Sequence, residues 1–535
     1  MKKKIVQLFI ISFTCSSLIL HAQQIRFQEK FNISNNDNAY YINQCHAGEQ
    51  GTIMTGFVMG SDGNQQCVLI RIGGNGNVMW TKEYDYPMGS QGSYCAQTLD
   101  GGYIVAGGTV NAGSVNFYNL IKTDVNGNVQ WTKQYEPPSN DYLDDYTYNG
   151  IGANLLAVSA KECPDKGYII AGALEDNSFT ISAYGVIKTD SAGQIEWSNN
   201  YVNQQSKAEF YKIELANNGY ILCGDGLGPQ LIRLDNNGAI VWSKYYSDTT
   251  YHYFGQAYSV HQTPDSGFIV TGMGSGSNAR QLLLLKTDSS GIAQWSSVYH
   301  GDTTSQQFWG NCVKISDDGG LIICADLDFS TTQYNNAVLM KTDNAGVVQW
   351  CNRYWCAGIT HGICVTPAAD GGYSFCGNTP DASPNIYFAK ADSNGYTGCD
   401  EVAFNITRVV RNFQAFNNPS IIHDTLLVHA NAPIQISPTN IVTVLCTSGM
   451  TELTEENQIT VYPNPASGIL TFDNLQFEIY NLRIMDVMGR EIYSQQISNQ
   501  QSAIINVSNL TNGIYYWEMI SDNTIEGKGK IAIMH

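Results

Sequence analysis

The feature that most constrains this chain is one pattern written out seven times. RIGGNGNVMW ends at Trp80, KTDVNGNVQW at Trp131, KTDSAGQIEW at Trp197, RLDNNGAIVW at Trp242, KTDSSGIAQW at Trp295, KTDNAGVVQW at Trp350 and KADSNGYTGC at Cys399. Successive end points lie 51, 66, 45, 53, 55 and 49 residues apart. Upstream of each stands a second shared element: QGTIMTG, GGYIVAG, KGYIIAG, NGYILCG, SGFIVTG, GGLIICA and GGYSFCG. A unit of this size cannot bury its apolar face alone, so the copies must pack on one another.

A period of about 50 residues, with short alternating apolar runs and Gly-centred turns, fits a four-stranded propeller blade. In the fifth copy the strands are AYSVHQT, FIVTGMG, LLLLKT and AQWSSVY, with turns at Asp265 to Gly267 and Asp288 to Gly291. Asp and Gly serve those turns by side-chain capping and by positive φ. The sequence therefore predicts an all-β protein whose residues 23–399 form a seven-bladed β-propeller. FQEKFN, from Phe27, has the form of the fourth-strand segment WTKEYD, and the seventh repeat lacks such a strand of its own. The segment 25–32 is expected to complete the seventh blade and leave no free sheet edge.

Trp80, Trp131, Trp197, Trp242, Trp295 and Trp350 are read as structural, one flat ring between adjacent blades per repeat. Their D-x-x-G-x-x-x-W setting resembles the tryptophan-docking motif of quinoprotein-type propellers. It lacks the Thr before Gly and has seven copies instead of eight, so no cofactor is expected. One second-strand position per repeat reads Thr55, Ala106, Ala171, Cys223, Thr271, Cys324 and Cys376, small residues where sheets approach closely. Cysteine there acts as a small buried hydrophobe.

Lys2, Lys3 and Lys4 precede an apolar run from Ile5 to Leu20, the form of a secretory signal peptide (1–22) cleaved between Ala22 and Gln23. No later stretch approaches the roughly 20 apolar residues of a membrane helix, so no transmembrane segment is expected. A net charge of −19 argues against nucleic acid as a partner.

The repeat is lost over 400–451, a β-rich linker segment with Cys399 and Cys446 as the best candidate disulfide. Cys351, Cys356 and Cys364 offer one further bridge. Residues 452–535 then carry VYPNPASGILTF, IMDVMGREI, LTNGIYYWEM and GKGKIAI in order. These resemble the type A C-terminal sorting domain of type IX secretion substrates from the Bacteroidetes. The resemblance implies an Ig-like β-sandwich read by the outer-membrane translocon, which becomes the expected partner, and a secreted or cell-surface location.

Function is expected on the loops of irregular length, since variable loops on a rigid scaffold are the usual home of recognition. The insertion from Tyr135 to Gly150 supplies Tyr142, Asp144, Asp145 and Tyr146, and other loops supply Tyr251, His252, Trp309, Trp355 and His361. Aromatic faces beside carboxylates suit a glycan or a protein ligand. The bland alternative is that these rings merely shield the core. No H-E-x-x-H, G-x-S-x-G, G-x-x-x-x-G-K or C-x-x-C occurs, and Asp326 with Asp328 lacks the spacing of a calcium loop. No catalytic or metal-ligating residue is assigned. The leading expectation is a binding or adhesion module. The alternatives are a carbohydrate- or peptide-active hydrolase or lyase working through loop carboxylates, and a structural protein of the envelope or matrix.

Overall fold

In the computed structural model the described residues form strands and turns, with no helix. It describes residues 26–534 apart from 33–50, 60–63, 75, 86–88, 111–115, 136–158, 176–181, 204–209, 249–254, 276–279, 302–305, 330–333, 355–359, 380–384, 400, 418–420, 426–434, 438–440, 449–459, 464, 474, 476–478, 487–489, 499–501 and 522–523. The expected signal peptide, with Ala22 and Gln23, lies outside the described residues. The chain divides into two compact units, Met1–Gly449 and Met450–His535.

The fifth repeat shows how its sequence makes a sheet. Gly255–Gln262, Phe268–Ser275, Arg280–Thr287 and Ala293–His300 pair antiparallel in chain order. Leu282 to Leu285 are all fully buried, because both faces of this sheet are covered by neighbours. Asp288 Oδ1 accepts from the backbone N–H of Ser290 and Ile292 at 2.9 and 2.8 Å, which fixes the second turn. Lys286 Nζ joins the two turns, donating to Asp265 Oδ2 at 2.8 Å and to Gln294 Oε1 at 3.1 Å. Its ammonium and the Thr263 hydroxyl hold the Asp265 carboxyl down to about 2.

The other repeats give six further sheets, within 51–85, 90–135, 159–203, 210–248, 306–354 and 361–391. The last draws its fourth strand from Arg26–Asn32, in a register that sets Phe27 opposite Lys390 as Trp295 is set opposite Lys286. Neighbouring sheets share apolar clusters. One cluster joins the sixth and seventh sheets to Met54, Val68 and Ile70 of the first, so the series of shared cores returns to its start.

A repeated lock holds neighbours together. Five of the Trp rings meet an aromatic of the next sheet, as in the edge-on pairs Trp80–Tyr103 and Trp131–Tyr168 with centroids 5.6 and 5.7 Å apart, while Trp295 packs on an apolar cluster with Leu321 at the equivalent position. Four residues after each Trp stands a Tyr, fully or almost fully buried, whose hydroxyl donates to a turn carbonyl of the next sheet. Tyr84 reaches Gly127 at 2.8 Å, Tyr135 Gly193 at 3.0 Å, Tyr201 Gly238 at 2.6 Å, Tyr246 Gly291 at 2.9 Å, Tyr299 Gly346 at 2.6 Å and Tyr354 Gly395 at 2.5 Å. These glycines are required twice over. Gly346 has φ 76°, and a Cβ there would lie 3.0 Å from the Trp295 ring.

The described strands of the expected linker segment pair with the sheets of the first unit. Glu401–Ala403, Thr407–Arg411, Phe413–Asn417 and Ile421–Thr425 add a fifth, outer strand to the sixth, fifth, fourth and third sheets in turn. Gln435–Ser437 then pairs with the first sheet, and Ile441–Ser448 with the N-terminal strand of the seventh. This belt runs against the order of the repeats and covers edges that would otherwise offer unpaired N–H and C=O groups. Phe413 anchors it, 3% exposed, while Ser296 Oγ donates to Arg411 O at 2.7 Å.

The second unit has two sheets, one of Thr460–Tyr462, Ile469–Asp473 and Ser502–Asn506, the other of Ile479–Met485, Glu491–Ser498, Gly513–Ser521 and Thr524–Ile533. They share a core in which Phe472 meets Trp517 at 5.1 Å.

Candidate functional site

Of the nine residues singled out for ligand binding, Tyr142, Asp144, Asp145, Tyr146, Tyr251, His252 and Trp355 lie outside the described residues. Trp309 and His361 fall on the first strands of neighbouring sheets, the sixth and seventh. Both stand next to Asp326. Trp309 is directly opposite it in the strand register, and His361 Nδ1 lies 3.2 Å from Asp326 Oδ2.

Asp326 is the organising group of this site. It is buried, and its Oδ1 accepts from Gly362 N at 2.7 Å while its Oδ2 accepts from Asn311 Nδ2 at 3.2 Å. Asn311 is the extra residue of a β-bulge between Gly310 and Cys312, which turns it toward the seventh sheet, where its Nδ2 also donates to Gly362 O at 2.6 Å. Burial opposes a charge on His361. The hydrogen bond and the field of Asp326, with Asp328 behind, outweigh it and raise the imidazole above its ordinary pKa. The half-buried Trp309 ring carries the Arg280 guanidinium 5.6 Å from its centroid, a cation–π contact. The site can therefore offer a partly exposed aromatic ring, a cation and an imidazole whose charge the neighbouring carboxylate supports.

Asp326 is occupied by these donors, and among the described residues no group of three His, Cys, Asp or Glu is placed to hold a metal ion. A cleft of about 440 Å³ at the turn end of the sixth and seventh sheets is lined by frame residues, among them Asp318, Lys341, Trp350 and Tyr373. Neither Trp309 nor His361 lines it.

The cysteine expectations need one correction. Cys351 and Cys364 are buried thiols with no disulfide between them, and Cys356 lies outside the described residues. Cys364 Sγ instead lies 3.4 Å from Cys312 Sγ, a contact between unbonded sulfurs. Cys399 is disulfide-bonded. The inter-sheet tyrosines were missed in the sequence, although the recurring W-x-x-x-Y spacing carried the signal.

No curated protein matches the chain. Among solved structures it is similar to Sqt1 from Chaetomium thermophilum, at 11% identity over 72% of this chain and 90% of that one, with a TM-score of 0.40. It is also similar to a Bacteroides caccae protein of unknown function, at 14% identity over 56% and 93%, with a TM-score of 0.34. At these scores neither likeness carries an argument. No helix of the described residues is long and apolar enough to cross a membrane. Residues 460–534, within the second unit, match the secretion system C-terminal sorting domain family, and that tail marks the chain as a type IX secretion substrate exported across the outer membrane.

Proposed function

We propose that the chain is an exported seven-bladed β-propeller that binds a glycan or protein ligand at the cell surface or beyond it. The propeller reading is supported by seven sheets of like strand order whose shared cores return to the first, and by the N-terminal strand that completes the seventh. A single observation carries the binding reading: buried Asp326 fixes His361 from the next sheet beside the partly exposed Trp309. The same inter-sheet connections carry Tyr142, Asp144, Asp145 and Tyr146, Tyr251 and His252, and Trp355, residues suited to stacking and hydrogen bonding. A disulfide from Cys399 to Cys446 fits this architecture. Gln28 pairs with Cys446 in the strand register, and its Nε2 donates at 2.7 Å to Thr397 Oγ1, two residues from Cys399.

The test is a glycan and peptide array probed with mature protein, followed by titration of any hit into Trp309→Ala and His361→Ala. The expected result is a saturable ligand whose affinity falls by about tenfold or more in both variants, the loss of an ordinary binding hot spot. A folded protein that binds nothing, or binds equally well in both variants, removes this site from the proposal. Peptide mapping without reductant should recover Cys399 linked to Cys446.

A further inference from the structure

In six of the seven sheets the first, inner strand places a residue of varying type at a common position. Ala96, Lys161, Glu214, His261, Lys314 and Thr366 each pair with the equivalent second-strand position, Ile104, Ile169, Ile221, Ile269, Ile322 and Ser374. These positions converge. Glu214 Oε1, on the fourth sheet, lies 2.9 Å from Lys161 Nζ of the third and 3.8 Å from Lys314 Nζ of the sixth, with Lys212 Nζ at 4.0 Å. A carboxylate that reaches both the adjacent sheet and one two sheets away stands where all the inner strands face one another.

Among the described residues, charge at this point does not balance. Three lysine side chains surround one carboxylate, an excess of two positive charges when all are ionised, while burial and the Lys212 and Lys161 ammonium groups lower the Lys314 pKa. The Cys364 thiol, working against burial and helped by Lys212 and Lys314, holds the neighbouring Cys312 thiol well below its ordinary range. Counting Cys312 as a thiolate still leaves +1. His261 adds no charge, because burial and the Lys314 ammonium push its imidazole down to about 4. Its Nδ1 is buried with no hydrogen-bond partner, and so is Glu214 Oε1, which Lys161 approaches at an angle unsuited to a hydrogen bond. The Lys161, Lys212, Lys314 and Glu214 side chains keep 15, 13, 19 and 9% of their surface accessible, so water-sized space reaches them. The Tyr94 ring, 4.9 Å from Lys161 Nζ, walls one side.

Like charges gathered away from bulk water are costly unless a counterion joins them. We propose that this convergence is a binding site for a small, multiply charged oxyanion of the phosphate or sulfate class, held by Lys161, Lys212 and Lys314 with the His261 ring. Glu214 gathers the three ammonium groups when the site is empty and opposes the anion when it is filled.

The experiment is calorimetric titration of full-length mature protein with inorganic phosphate and with sulfate, at an ionic strength fixed by chloride. One saturable site per chain is expected for at least one of the two anions. The pair Lys212→Met and Lys314→Met should weaken it by about tenfold or more, and Glu214→Gln should tighten it by about threefold or more. Absence of saturable binding by both anions overturns the proposal, as does an affinity unchanged in the lysine variant. Should the lysine variant fail to fold, Glu214→Gln decides alone, and an affinity there no tighter than that of the native protein overturns it.

Discussion

The turn ends of the seven sheets and their inner strands follow opposite rules. Along the first six repeats the turn ends reuse the same residues: a lysine or arginine before a turn that is Asp-x-x-Gly in all but the first, a Trp, and a Tyr four residues on whose hydroxyl meets the next sheet in the same way. Along the inner strands one position runs Ala, Lys, Glu, His, Lys, Thr. Repetition marks what every pair of sheets needs in order to pack. Departure from it marks where sheets are free to differ, and the polar clusters around Asp326 and around Glu214 arise there. The belt belongs with the turn ends by role, although it repeats nothing.

The largest expected effect tests that last point. A chain ending at residue 399 leaves the outer edges of six belted sheets unpaired, and size-exclusion chromatography should show aggregates where a chain ending at 449 stays monomeric. Monomeric behaviour of the shorter chain would make the belt decorative. Next, Trp131→Ala and Trp295→Ala should each cost about 2–3 kcal/mol in chemical denaturation, below the 3–5 of a fully buried Trp because these rings are half-buried. Trp131 should lose the more of the two, since its ring meets Tyr168 edge-on whereas Trp295 packs beside Leu321, and a larger loss at Trp295 would break the comparison. Tyr299→Phe removes one hydroxyl donor and strands the Gly346 carbonyl, at about 1–2 kcal/mol.

The smallest effect separates the two histidines by sign. His261 is held near 4 in the fold against about 6.5 in the unfolded chain. As pH falls from about 6.5 to about 4 the unfolded chain takes up a proton that the folded chain refuses, so His261 lowers stability across that window. Lys161, Lys212, Glu214 and Lys314 all face it, and His261→Gln should flatten this acid limb. His361 is raised in the fold, so its contribution is complete below the unfolded value and is lost as pH rises through its own pKa. His361→Gln should therefore lose stability at the acid end and change little at the alkaline end, measured as Tm against pH. Parallel profiles for the two variants would contradict these environments.

The amino-acid sequence by itself determined the β character, the turns and the sorting tail. Each is set by residues close in the chain: alternation decides a strand, Asp and Gly decide a reversal, and the landmarks of the last 84 residues stand in a fixed order. The belt was not legible, because its strands of three to eight residues carry no period and take their register from sheet edges far away in the chain. Asp326 was visible as a carboxylate, but its bond to His361, 35 residues on, exists only because the sixth and seventh sheets bring their inner ends together. The same holds for Glu214 and Lys314, 100 residues apart in sequence and 3.8 Å apart in space. Local hydrogen bonding and burial can be read along a chain. Which unlike residues meet where the sheets converge is decided by packing alone.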